Sequence, residues 1–234
     1  GCRRIADLFN RRFARMGVRV GKTFVSDKIR ANQLEILHLR REIRSRKPKA
    51  SAPNRVWGLD LTGKTDSQGN GHAILALVDH GSRANLRMVA LSTKSATALL
   101  REVGMAIARY GRPRFIRTDN EPVFRSRRFR LGLALLGVCH QRIDPGCPWQ
   151  NGRVERFFGT LKKKLDPWSV DSLAELNGAL GQFRLWYNHI RPHQALEGGT
   201  PAEVWAGETV IPRFEREYWF EAWDGLLQGF YLSR

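Results

Sequence analysis

A chain of 234 residues carries 40 Lys and Arg against 22 Asp and Glu, a formal net charge of +18. That length supports one substantial core and a small accessory unit, and that charge calls for a polyanionic partner, of which nucleic acid is the usual one. No apolar run approaches the length of a spanning helix and no basic amphipathic anchor stands out, so a membrane role is not expected. Cys2, Cys139 and Cys147 form no CxxC pair, which speaks against a disulfide framework and a thiolate zinc site and fits a reducing cytosol. No targeting segment is visible, and Gly1 in place of Met leaves room for a preceding part.

Residues 1–55 hold sixteen Lys and Arg against four acids, two thirds of the excess charge in a quarter of the chain. Ile5, Ala6, Leu8, Phe9 and Phe13 predict a first helix, Gly17 and Gly21 bracket a turn, and Phe24, Val25, Ile29 and Leu34 predict a second. Residues 1–44 therefore read either as part of a helix-turn-helix DNA-binding segment or as a solvated basic helical arm. Gly21-Lys22-Thr23 is not a phosphate loop, because the glycine required five positions earlier is Met16. Residues 45–55, polar, basic and proline-containing, read as a linker.

From Val56 the pattern changes to that of a core extending to residue 206. Strands are expected at 56–61, 73–78 and 86–91, with the first turn spanning Gly63 to Gly71 and the short connections favouring an antiparallel meander. A helix follows from Ser95, with Leu99, Leu100, Val103, Ala106, Ile107 and Tyr110 on one face and Gly111 and Pro113 at its close. A strand at 115–118, a short helix at 127–136 and a strand at 138–141 complete the order βββαβαβ. Beyond Pro148 and Asn151-Gly152, Val154, Phe157, Phe158, Leu161 and Leu165 recur at helical spacing. Projected at about 100° per residue, Glu155 and Lys162 share one edge of that stripe, while Arg153, Arg156, Lys163 and Lys164 fall away from it. Asp166-Pro167 interrupts the helix. Ser172 and Glu175 form a capping-box pattern opening another through Tyr187. His189 and His193 stand four apart, a spacing open to zinc, but Pro192 argues against an unbroken helix and favours packing and hydrogen bonding. The extension 207–234 carries, from Glu208 onward, five acids, three bases and seven aromatics, and reads equally as an interface or a docked extension.

Asp60 in RVWGLDLTG and Asp119 in RPRFIRTDNEPVF each follow an apolar, β-prone run, and 35 residues separate Asp119 from Glu155. Together with the NG-x-x-E helix and the string YNHIRPHQALEGGTPAEVW, these resemble the DDE integrase-core superfamily, closest to insertion-sequence transposases and more distantly to retroviral integrases. The match runs over about residues 56–206. Trp57 and Thr62, then Thr118, Asn120 and Phe124, then Pro148, Asn151 and Gly152 supply the surrounding pattern, whereas Asp66, Asp79 and Asp144 read as turn or strand-end acids.

The resemblance implies an α/β, RNase H-like core, a mixed five-stranded sheet with flanking helices, in which the first and fourth strands are neighbours. It implies an enzyme that cleaves DNA at element ends and transfers the 3′ hydroxyl to target DNA. Asp60, Asp119 and Glu155 would be catalytic residues and ligands of two Mg2+ ions, for which Mn2+ would substitute. Lys162 would hold a substrate phosphate, with Gln150, Asn151, Arg153, Arg156 and Lys163 as further DNA contacts. DNA, a homodimer or higher oligomer on it, no structural zinc and a cytoplasmic, nucleoid-associated, bacterial-type setting complete the expectation. Two positions depart from the pattern. Glu121 stands where many members have glycine, free to tune metal affinity or to pair with Arg125; Gly159 stands where retroviral integrases have a lysine. The rival readings are a silent DNA-binding derivative, a ribonuclease of the same fold and a basic RNA-binding protein.

Overall fold

The computed structural model of the protein describes residues 1–45, 51–144, 147–207 and 216–233. The chain divides into two compact units, Gly1–Lys49 and Ala50–Arg234. Of the expected linker, residues 46–50 lie outside the described residues.

The first unit contains α1 (Cys2–Arg12), α2 (Lys22–Ala31) and α3 (Gln33–Ser45). Between α1 and α2 the chain turns through Gly17, at φ 70°, and the turn is clasped by the Asn10 amide, which accepts from the Val20 N–H at 2.8 Å and donates to its carbonyl at 3.0 Å. The second expected helix is in fact two. The helical run stops at Asn32, whose amide donates to the Lys28 carbonyl, and α3 restarts one residue later. Asparagine competes for backbone partners in this way, a local effect that an apolar period does not report.

The second unit is built on a five-stranded sheet of β1 (Val56–Thr65), β2 (Gly71–Asp79), β3 (Asn85–Leu91), β4 (Phe115–Thr118) and β5 (Cys139–Arg142), in spatial order β3-β2-β1-β4-β5. β1, β2 and β3 run antiparallel as a meander, and β4 and β5 add in parallel on the other side of β1. β1 and β2 are longer than their apolar centres suggest, because the turn needs only residues 66–70. The helices are α4 (Ala96–Tyr110), α5 (Pro122–Arg125), α6 (Arg127–Leu135), α7 (Gly152–Leu165), α8 (Leu173–Leu185) and α9 (Pro201–Ala206). This mixed sheet with flanking helices is RNase H-like.

Alternation along β2 divides the core in two. Ile74, Ala76 and Val78 pack with α7 and α8, while Leu75 and Leu77 pack with Trp57, Leu59, Ile116 and the apolar faces of α4 and α6. Both faces of the strand are covered, so its sequence reads as one continuous apolar run. Ser95 caps α4, and Ser172 caps α8 by accepting from the Glu175 N–H. The reciprocal bond expected there is displaced, since Glu175 accepts from Asp171 instead; a complete capping box sits at Thr200 and Glu203 of α9. The helix expected through Tyr187 passes at Trp186 into a π-helical turn ending at Ile190.

The described part of the extension is a hairpin, β6 (Arg216–Ala222) and β7 (Leu227–Ser233), docked on the α7/α8 side of the core. Trp223 stacks on Trp168 and Phe183 and donates to Gln182, Trp186 donates to the Gln228 carbonyl, and Leu227 is wholly buried.

Candidate active site

Asp60 lies at the middle of β1 and Asp119 directly after β4, the strand that pairs with β1 through Gly58 and Arg117. These two adjacent residues also seat the start of α7. Arg117 donates to the Gln150 carbonyl at 3.0 Å and to the Gln141 side chain at 3.0 Å, holding the turn before the helix. Gly58 makes room for the helix itself, since a Cβ there would lie 2.2 Å from Val154 Cγ2 and 2.7 Å from His80 Nε2. A glycine inside a strand marks such close approach of another segment. Glu155, in the first turn of α7, is thereby brought towards the strand that carries Asp60.

The loop after β4 is fixed from within. Thr118 Oγ donates to the Asp119 carbonyl and lies 2.9 Å from His140 Nε2, Asn120 donates to the Ile143 carbonyl, and Asp119 Oδ1 accepts from the Glu121 N–H. Glu121 pairs with Lys94 at 2.9 Å, and not with Arg125. Asp60 accepts from the Leu61 N–H at 2.8 Å.

Burial pushes the Asp60 carboxyl up to about 7, and the charges of Asp119, Glu121 and Glu155 add to the rise against the Leu61 N–H. Asp119 is raised by burial and by Glu121, with the Glu121 N–H and Lys94 opposing, and partial desolvation raises Glu155, whose side chain still reaches solvent. Four carboxylates therefore occupy one electrostatic neighbourhood with Lys94 as a nearby cation. Among the described residues no three His, Cys, Asp or Glu side chains already stand as a ligand cluster for a metal ion. The donor chemistry nonetheless fits a hard divalent cation: the donors are all carboxylate oxygens, their excess charge opposes ionisation of Asp60, and Glu155 is exposed.

The other site residues named from the sequence fall into two groups. Arg156, Lys162 and Lys163 are exposed on α7, with Lys162 two turns beyond Glu155. Gln150 exchanges hydrogen bonds with Asp144, and Arg153 is half-buried and donates to the His80 carbonyl, with burial and Arg83 lowering its guanidinium to about 10. Asn151 is 1% exposed, next to Gly58, and neither of its amide atoms has a hydrogen-bond partner among the described residues. Asp66 and Asp79 accept from N–H groups of their own turns. His193 is buried edge-on against Tyr187 and bonded to its carbonyl, with burial lowering its pKa to about 4; His189 is exposed beside Tyr231.

Gly58, Arg117 and Lys94 are missing from the sequence-based set. Gly58 was open to detection as a glycine within an otherwise apolar strand. Arg117 and Lys94 carry no such signal in a chain with 40 basic residues.

The integrase core domain family matches residues 50–148, and a second model of the same description matches residues 136–201. An uncharacterized 39.2 kDa protein of insertion element IS476 from Xanthomonas euvesicatoria is 32% identical over 66% of this chain and 45% of its own length. An uncharacterized 31.7 kDa protein of insertion element IS407 from Burkholderia multivorans is 31% identical over 65% of this chain and 55% of its own. The chain thus spans about half the length of these relatives. In fold it is similar to a chain of the simian T-cell lymphotropic virus intasome in complex with PP2A regulatory subunit B56 gamma, with a TM-score of 0.61 at 22% identity over 78% of this chain and 69% of that one. It is also similar to the HTLV-2 integrase catalytic core domain in complex with magnesium, with a TM-score of 0.55 at 22% identity over 67% and 99% of the two chains. Matched by the two integrase core domain models over residues 50–201 and related in sequence to insertion-element proteins, the chain belongs to the integrase-core family.

Proposed function

We propose that this chain is the catalytic part of a DNA transposase that cleaves at the ends of its element and transfers the freed 3′ hydroxyl to target DNA. The observation that carries the reading is the convergence of three acids far apart in sequence: Asp60 on β1, Asp119 directly after the neighbouring strand β4, and Glu155 in the first turn of the helix that packs over Gly58 of β1. A pair of Mg2+ ions, with Mn2+ as substitute, would supply a deprotonated attacking oxygen and neutralise charge at the phosphate and the leaving oxygen. Asp60, Asp119 and Glu155 would be the residues that hold the ions.

The protein's own groups do the rest. Burial raises the Asp60 carboxyl to about 7, so a bound cation would favour its ionised form. Arg156, Lys162 and Lys163 offer cations to the phosphates flanking the scissile bond, and position more than they specify. Gln150 and Arg153 already bond to Asp144 and to the His80 carbonyl, whereas Asn151 has no hydrogen-bond partner among the described residues. Residues 1–44 would add sequence-independent affinity through their charge, 45–55 would link them to the catalytic core at 56–206, and two copies on DNA would bring two ends together. The setting would be the bacterial cytoplasm, at the nucleoid; among the described residues no helix is long and apolar enough to cross a membrane.

The test is strand cleavage on DNA from both flanks of the encoding gene, in Mg2+ and Mn2+, by wild type and Asp119→Asn. Metal-dependent nicks leaving 3′ hydroxyls and lost in the variant are expected. Binding without cleavage would favour a silent DNA-binding relative, a reading for which the strongly basic first unit alone suffices.

A further inference from the structure

The two ends of α7 are attached to the same strand. At its start, Val154 packs over Gly58; at its end, Lys64 reaches from β1 to donate from Nζ to the carbonyls of Leu165, at 2.8 Å, and Asp166, at 3.1 Å. A lysine there satisfies carbonyls that a helix leaves open and meets the negative end of its dipole. The spans agree. Asp60 to Lys64 is about 13 Å of strand, and Glu155 to Leu165 is about 15 Å of helix. An acid and an anchor on β1 therefore face an acid and an anchor point on α7.

The anchor is itself braced. Asp66 accepts from the N–H groups of Gln68 and Asn70 and lies 2.9 Å from His72 Nε2, closing the β1–β2 turn. From that turn the Ser67 N–H donates to the Val170 carbonyl at 2.9 Å, and Ser67 Oγ lies 2.6 Å from Asp171 Oδ1, both in the segment between α7 and α8.

We propose that Lys64 is a positioning residue that, by clamping the C-terminal end of α7 to β1, sets where Glu155 stands against Asp60. The inference rests on the reading of these two residues as metal-binding acids. It assigns to a basic residue beside the site a role other than DNA contact.

The experiment compares full-length wild type with Lys64→Met, which keeps the stem and loses the donors, and Lys64→Arg, which keeps donors. Mn2+ binding without DNA is followed by paramagnetic resonance, amide exchange is followed over residues 152–158, and DNA affinity is measured against salt. The Met variant should bind Mn2+ about 10- to 100-fold more weakly, the range for loss of a residue that orients a ligand. It should exchange faster in the first turns of α7 and keep the wild-type DNA salt slope, and Lys64→Arg should restore binding and exchange. Should Lys64→Met fail to fold, Ser67→Ala, which removes only the bond to Asp171, should shift Mn2+ binding the same way by a few-fold. Unchanged Mn2+ binding and exchange would overturn the clamp, as would a salt slope shallower by about 0.9, the mark of a lost phosphate contact. Mn2+ binding indifferent to Glu155→Gln would instead overturn the reading of the acids, a result distinct from either.

Discussion

The two units of this chain use their residues in opposite ways. In the first, the described buried apolar side chains are Ala6 and Val25, while Leu8, Met16, Phe24 and Leu34 are exposed and twelve Lys and Arg face four acids over residues 1–45. In the second, two apolar clusters cover both faces of the sheet, and the candidate acids stand on its central strand, just after β4 and in the first turn of α7. The first unit has little core to hold it and much charge to offer; the second uses its core to hold a few carboxylates where they repel one another. The difference points to affinity residing mainly in one and chemistry in the other.

The largest effect that would break this division is on Glu155. Glu155→Gln should lower cleavage and joining more than about a hundredfold, because a ligand to a hard cation is lost, while DNA affinity at fixed salt stays within about twofold. A parallel loss of binding would place affinity in the catalytic core. Replacing Arg3, Arg4, Arg11 and Arg12 of α1 by Gln should do the reverse. The log–log slope of binding against salt should flatten by up to about 0.9 for each phosphate contact removed, and single-turnover cleavage of saturated complexes should hold; an unchanged slope would move the footprint to α7.

Gly58→Ala sharpens the contrast from the packing side. The new methyl meets Val154 and His80 beneath α7, and overpacking of this kind costs about 1–3 kcal/mol. Melting temperature should fall, and metal-dependent cleavage should fall further than the loss of folded protein explains. The smallest effect is on Asp60. Its folded pKa lies above its unfolded value, so the stability it contributes is present below about pH 4 and is lost as pH rises towards 7. Metal-free wild type should therefore lose stability between pH 5 and 8 relative to Asp60→Asn, by about 1–2 kcal/mol once partial solvent screening is allowed for. Equal pH dependence in the two would mean that Asp60 is not buried among like charges.

Most of the sheet was legible because its strands are apolar runs bounded by turn residues, and β4 ends at the Thr118-Asp119 pair that a release into a loop requires. The three acids proposed for the site were singled out by their local strings and not by their type, since Asp66 and Asp79 are acids of equal chemistry whose oxygens are taken up by backbone N–H groups. What was not legible depends on partners far away in sequence. Lys64 is 101 residues from Leu165, and no local pattern distinguishes it from other surface lysines. Lys94 and Glu121 find each other only once β3 and β4 are in place. The hairpin in the extension carries one local signal, the Asp224-Gly225 pair, a common hairpin turn, but its aromatics stand side by side in Tyr218-Trp219-Phe220 and Phe230-Tyr231 and show no strand period.

Trp223 and Leu227 complete the apolar cluster against which α7 rests, yet they belong to the last dozen residues of the sequence. During synthesis, α7 emerges well before the residues that close its packing, so its seat is filled last. Folding of this face waits on the tail. A nascent chain stalled before residue 223 would carry Asp60, Asp119 and Glu155 and still lack the Trp223 and Leu227 side chains of the cluster on which α7 rests.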